Sequence, residues 1–359
     1  MRRFQFFVFI VFLTSFFVNN NIVYGQKNDK HPSVSTDSIN PPDFKIMSYN
    51  CENYFDTFHD SLKMDQEFLP SGDKHWNWKK YVTKQNHIGK VIIAVGGWRP
   101  PDLVGLCEIE NQNVLEGLVK YSPIKNFGYK IIHKESPDRR GIDVGLLYLP
   151  DRFQPLVEKF FEVKFPFAPN SKTRDILYVK GIIGKTDTLN VFFNHWPSRW
   201  GGQKETEPKR IFVAKLVRSK ADSILKINPL SNIVIMGDLN DNPDDKSLLE
   251  GMRASHDFSH IKSTEIYSLS YLLMLQNKGS HKYHGKWEVL DQIMVSGGLL
   301  EKKNKIYCTT SDAHIFRKDF LLEKDDKYTG MRPYRTYIGF HYIGGFSDHL
   351  PVYLDIHKN

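Results

Sequence analysis

Asp238 and Asn240 stand two positions apart at the end of the apolar run Ile233 to Met236, with Gly237 between the run and the aspartate. In extended chain, that spacing puts both side chains on one face. A carboxylate beside an amide can hold an attacking water and a phosphate oxygen together. The plain alternative is a strand-to-turn exit, because Asp, Asn and the following Pro243 all favour turns. Other stretches carry the same punctuation. Asn50 ends the run Lys45 to Tyr49, and Glu108 follows Asp102 to Cys107. His195 leaves Leu189 to Phe193 and is followed within four residues by Arg199. Asp348-His349 opens the last apolar run, and Asp291 lies inside Val289 to Val295. A carboxylate within such a run is costly to bury without a partner, and a histidine is the obvious candidate. Two histidines suit acid–base work at neutral pH. An arginine suits phosphate. The oxygen-rich set implies a hard cation, Mg²⁺ or Mn²⁺, with Ca²⁺ in the same class, rather than zinc. One cation with amide, histidine and arginine donors is what in-line attack on a phosphate diester needs.

Strands must carry these groups. Short apolar runs ending in polar residues predict strands at Lys45–Tyr49, Asp102–Cys107, Tyr129–Lys134, Val144–Leu149, Phe153–Phe165, Ile176–Ile183, Leu189–Phe193, Ile233–Met236 and Trp287–Val295, with a last strand after Asp348. Helical spacing runs over Tyr81–Val95, Val114–Tyr121 and Arg210–Ile227. Gly96-Gly97 ends the first of these. Residues 244–285 and 311–345 read as long irregular segments, with a short helix after Asp244. Arg139-Arg140-Gly141-Ile142-Asp143 places two guanidinium groups near a carboxylate. A charged hairpin and a phosphate-facing turn both fit it; by chemistry, Arg140 and Arg199 are the candidates for substrate phosphate. Polar groups gathered at the strand ends of a layered fold are where sites form.

The chain has 359 residues, with 40% hydrophobic and 25% charged, ordinary globular values that demand no second domain. Residues 1–25 read as a signal peptide: Arg2 and Arg3, the apolar stretch Phe4 to Val18, then Val23-Tyr24-Gly25. The apolar stretch is too short, and too soon followed by asparagines, for a good membrane span. Residues 26–42 read as a flexible leader and 43–359 as one domain. A secreted or periplasmic protein is expected. The formal net charge of +8, two of it from Arg2 and Arg3, suits a polyanionic partner such as nucleic acid. Cys51, Cys107 and Cys308 are an odd number, read as small apolar fillers rather than a disulfide framework.

Taken together, Met47-Ser48-Tyr49-Asn50, Gly105 to Glu110, Asn194-His195-Trp196-Pro197-Ser198-Arg199, Gly237-Asp238-Leu239-Asn240, Asp291 and Ser347 to Val352 resemble the endonuclease/exonuclease/phosphatase superfamily in type and order. The resemblance runs over roughly residues 43–357. It implies a four-layered α/β sandwich with two packed mixed β-sheets. It implies a metal-dependent phosphoric ester hydrolase with Glu108 as main metal ligand, Asn50 supporting metal or phosphate, and Asp348 as a further ligand or a group supporting the ligands from behind. Asp238 would orient or deprotonate the water with Asn240 beside it. His349 would contact phosphate, held by Asp291, and His195 would stand near the leaving group with Asp143 as its orienting partner. Nucleic acid is the first substrate expectation. Small phosphate esters, inositol phosphates or phospholipid headgroups are the alternative, and a non-catalytic binding module is the remote one.

Overall fold

The computed structural model describes residues 43–184 and 187–359. The signal peptide and leader expected over 1–42 lie outside the described residues. Two sheets form the middle of the fold. The first runs, in spatial order, Ile306–Tyr307, Val352–Lys358, Phe44–Tyr54, Leu103–Ile109, Asp143–Tyr148 and Lys130–Ile132, with Ala313–Ile315 also on Val352–Lys358. The second runs Phe153–Phe161, Ile176–Ile183, Asp187–His195, Asn232–Asp238, Asp291–Ser296 and Ile266–Ser268. Both are mixed. Phe44–Tyr54 is parallel to Leu103–Ile109, Asp187–His195 is parallel to Asn232–Asp238, and the other named strand pairs are antiparallel.

Strand alternation sorts the apolar residues into three cores. Ile46, Leu103, Val234 and Met236 face between the sheets. Met47, Val104 and Leu106 face outward, under Ile88, Val91 and Val95 of the helix Trp78–Gly96 and Leu115 and Leu118 of the helix Gln112–Tyr121. Ile233 and Ile235 face outward on the other side, under Val213, Ala214 and Val217 of the helix Gln203–Ile227. The order is helix, sheet, sheet, helix: a four-layered sandwich, as expected. The three cysteines are buried and free. Among the described residues, no helix is long and apolar enough to cross a membrane.

Several element boundaries differ from the sequence reading. The run Trp287–Val295 is broken at Val289-Leu290: Lys286–Glu288 pairs with His281–Tyr283 in a hairpin, and the sheet strand begins at Asp291. Periodicity cannot see that break, because both residues there are apolar and buried. The segment 311–345 holds short ladders at Leu322–Lys324 with Met331–Pro333 and Tyr337–Ile338 with His341–Tyr342. The third helix starts at Gln203, seven residues earlier than the apolar spacing suggests, and contains Pro208. The strand from Phe153 ends at Phe161, short of Phe165.

Candidate active site

Register aligns the key groups. His195 is the last residue of its strand and lies opposite Asp238, the last residue of the next. Asp238 in turn lies opposite Asp291, the first residue of the antiparallel neighbour. A histidine and two aspartates therefore stand abreast on three adjacent strands. Facing them across the gap between sheets are Asn50 and Glu108 of the first sheet, and His349 just ahead of its edgeward strand. All of these but Asp291, which is buried behind them, line one cavity of about 690 Å³ together with Arg140, Arg199, Asn240, His281, Arg335 and Asp348.

The backbone leaves regular geometry where these side chains emerge. Glu52, Asn53, Glu108 and Asn240 have φ between 52° and 60°, a left-handed conformation that L-residues adopt at a cost. The strand register shifts at Asn50/Tyr54 and again at Cys107/Ile109, so Glu108 sits on a bulge that re-aims its carboxylate. Gly237, at φ 136°, brings the chain so near Asn194 that a Cβ would fall 1.9 Å from its carbonyl oxygen.

Asp238 is the hub. Asn50 donates from Nδ2 to its Oδ2 at 3.0 Å, and the Asn240 amide donates to Oδ1 at 2.9 Å. His195 Nε2 is 3.6 Å and His349 Nε2 3.8 Å from the same Oδ2. Burial raises its pKa to about 6, against the opposing pull of His349 and the Asn50 and Asn240 bonds. His349 gives Nδ1 to Asp291 at 2.7 Å. Burial disfavours charge on that ring, but the carboxylates of Asp291 and Asp238 outweigh it and hold its pKa well above the usual histidine value. His195 goes the other way: burial, then the positive charges of Arg174, Arg140 and His349, hold it neutral. Its Nδ1 is buried without a hydrogen-bond partner.

Glu108 accepts the Asn53 amide on Oε2 at 2.8 Å, while its Oε1 lies 4.0 Å from His195 Nε2. The Glu108 carboxylate thus faces an imidazole that carries no charge, whereas Asp238 stands between that imidazole and the cationic His349. An anion facing a neutral ring fits a divalent cation, and the oxygen donors of Glu108 and Asn50 are the hard ligands one prefers. Asp348 is drawn away from this point. Its Oδ2 takes Arg335 at 2.8 Å; burial opposes its ionisation, but Arg335, His349 and His281 carry its pKa down to about 2. Donor atoms of His281, Asp348 and His349 do gather within 4.8 Å of one another.

Two expected roles are corrected. Asp143 does not reach His195: it accepts the Ser136 amide and hydroxyl on one oxygen and pairs with His133 Nε2 at 3.1 Å on the other. The bulge at Cys107/Ile109 sets Asp143 opposite Ile109, one strand beyond the cavity. Arg199 lines the cavity, but its guanidinium is taken up by Glu288 at 2.6 Å, Asp245 at 2.9 Å and the Asn240 carbonyl at 2.7 Å. It anchors the 196–202 loop onto the Asn240 turn. Arg140 lines the cavity from an exposed turn.

The sequence reading missed four supports. Buried Arg174 clamps the His195 carbonyl at 3.1 Å and the Trp196 carbonyl, fixing the histidine's exit from its strand. Ser347 donates to the Asn50 carbonyl at 2.7 Å and accepts the His349 amide at 3.1 Å, which ties the two ends together. Arg335 and His281 come from the segments whose patterning is irregular. Only Ser347 had a signal, as part of the Ser347-Asp348-His349 run.

A layered sandwich with carboxylates, amides and two oppositely tuned histidines at its strand ends defines a phosphoric ester hydrolase. The model of the endonuclease/exonuclease/phosphatase family matches residues 45–358. The chain belongs to that family and is a divalent-metal-dependent phosphoric ester hydrolase of its type. No curated protein matches the chain. Solved structures share its fold. Humanized D. rerio TDP2 is 14% identical, covering 88% of this chain and 99% of that one at a TM-score of 0.52. The human Nocturnin catalytic domain with bound sulfate is 16% identical, covering 89% and 96% at 0.51. The endonuclease/exonuclease/phosphatase protein from Bacteroides vulgatus is 15% identical, covering 88% and 99% at 0.52.

Proposed function

We propose that this is an exported nuclease that hydrolyses phosphodiester bonds of nucleic acid by in-line attack of water, with Mg²⁺ or Mn²⁺ held by Glu108 and supported by Asn50. The observation that carries the reading is the opposed tuning of Asp238 and His349 around one cavity. A carboxylate near pKa 6 is a proton acceptor at neutral pH. A histidine held cationic by Asp291 is a charge donor to a non-bridging phosphate oxygen. Asp238 takes the proton of the attacking water while the Asn240 amide steadies its second oxygen. Neutral His195, clamped by Arg174, presents Nε2 toward the leaving oxygen. Arg140 meets phosphate at the rim. When bound, the cation supplies Lewis-acid stabilisation of charge on the phosphate oxygens.

Nucleic acid is favoured by the sequence pI of about 9.1, and by D. rerio TDP2, which shares the fold and has been solved with a single-strand DNA product. Export rests on the Arg2-Arg3 start and the apolar stretch that follows. The test is incubation of the purified protein with plasmid DNA, RNA and inositol phosphates, with Mg²⁺ or Mn²⁺ and with EDTA. Metal-dependent cleavage of nucleic acid, lost in Asp238→Asn, is the expected result. Intact nucleic acid beside hydrolysed inositol phosphate would replace this reading with the small-ester one.

A further inference from the structure

Two aromatic side chains on the cavity wall take no part in the chemistry above. Trp200 is 90% exposed and Tyr283 59% exposed, and both line the catalytic cavity. Single exposed aromatics occur elsewhere on this surface, Trp98 among them; what sets these two apart is that they line the catalytic cavity. Loop laxity does not account for it. Arg199, one residue earlier, is bonded to Glu288, Asp245 and the Asn240 carbonyl. Trp196, four residues earlier, is buried and donates its indole N–H to Asn194 at 3.2 Å. The same short loop places one tryptophan in the core and presents the other to the cavity.

Tyr283 is equally well placed. The hairpin His281–Tyr283 with Lys286–Glu288 turns at His284 and Gly285, both at positive φ. Lys282 anchors it by Asp325 at 2.8 Å and the Thr329 carbonyl at 2.9 Å. His281 and Tyr283 are two apart on one strand, so they share a face. His281 packs on catalytic His349 at 4.8 Å between ring centroids. Tyr283 therefore stands about 6–7 Å further out along the same face, roughly one nucleotide's reach from the phosphate position. Arg140 on the rim adds positive charge.

We propose that Trp200 and Tyr283 form a stacking subsite for an unpaired nucleobase beside the scissile phosphodiester, which makes single-stranded nucleic acid the substrate class. This deepens the nuclease reading and rests on it. Aromatic faces accept any base, so the subsite selects strandedness rather than sequence. A base held in a duplex is stacked on its neighbours and presents no free face.

The test is a substrate–enzyme cycle. Trinucleotides in DNA and RNA series, each with a baseless tetrahydrofuran residue at one position in turn, are compared with the intact trinucleotide on wild type, Trp200→Ala and Tyr283→Ala. Wild type is expected to lose roughly tenfold in kcat/KM at one baseless position, the size of one lost stack. Trp200→Ala is expected to lose the same factor on the intact substrate and nothing further on the baseless one, while Trp200→Phe regains most of it. Coupling in either series supports the subsite and identifies the sugar. Equal losses with and without the base in every variant, or faster cleavage of a duplex than of its single strand, overturns it. If trinucleotides and long nucleic acids all stay intact while inositol phosphates are hydrolysed, the nuclease reading itself has failed and the subsite falls with it.

Discussion

His349 Nδ1 lies 2.7 Å from Asp291 Oδ2, and both groups are buried. Asp291 stands opposite Asp238 in the strand ladder, so one sheet supplies both the carboxylate that charges the histidine and the one that meets the water. Replacing Asp291 by Asn keeps the shape and removes the charge. Burial then dominates, and the His349 pKa falls. The expected outcome is a loss of roughly 10²–10³ in kcat at pH 7, the cost of one preorganised donor. The alkaline limb of the kcat–pH profile should move to lower pH. An unmoved limb would show that Asp291 only props the ring.

Asp238 has a folded pKa of about 6 against an ordinary 3.8. The folded protein therefore binds this proton more tightly than the unfolded chain does. By linkage, this group lowers stability as pH rises from about 4 through 6 in metal-free protein. Asp348, held at about 2, acts oppositely: its contribution is present above about 4 and is lost as pH falls toward 2. Asp238→Asn should consequently be inactive yet more thermostable than metal-free wild type at pH 7, with the gap closing toward pH 4. Calorimetry at pH 4, 5.5 and 7 measures it, and a gap independent of pH would refute the assignment.

Much of this site can be read from residue types, because an apolar run that stops at Asn50, Glu108, His195 or Asp238 leaves a polar side chain where regular pairing breaks off, at register shifts in the first sheet and at strand ends in the second. Asp291 is legible for a different reason: a buried charge needs a partner, and His349 provides it. What the sequence hides is anything set by irregular backbone. The left-handed turn at Glu108 and the bulge beside it send Asp143 to His133 instead of His195. His281 and Tyr283 lie on a short hairpin, and Arg335 in the loop between two short ladders, with no sustained period. Arg199 looks like a phosphate ligand because its acidic and carbonyl partners come from distant segments.

Gly237 holds the two histidine- and aspartate-bearing strands together. Any Cβ there would meet the Asn194 carbonyl at 1.9 Å, on backbone that L-residues avoid. Neither obstacle is a flexible side chain. Gly237→Ala is expected to destabilise by about 3 kcal/mol and to lower kcat as well, since Asp238 follows directly. Chemical denaturation with wild-type slope and a lower midpoint checks the first part.

Glu108 offers the test of the cation's place. Its Oε2 is committed to the Asn53 amide, and Oε1 looks into the cavity toward His195. Glu108→Gln keeps the oxygen that faces Asn53 and removes the negative charge. The variant should keep its fold and the wild-type circular dichroism, lose Mn²⁺ binding by at least roughly tenfold in calorimetric titration, and retain little turnover. Asp348→Asn makes the contrast, because that carboxylate is engaged by Arg335 rather than turned to the gap between Glu108 and Asp238. It should weaken Mn²⁺ binding far less. If Asp348→Asn abolishes binding while Glu108→Gln spares it, the cation sits instead among His281, Asp348 and His349, where donor atoms also converge.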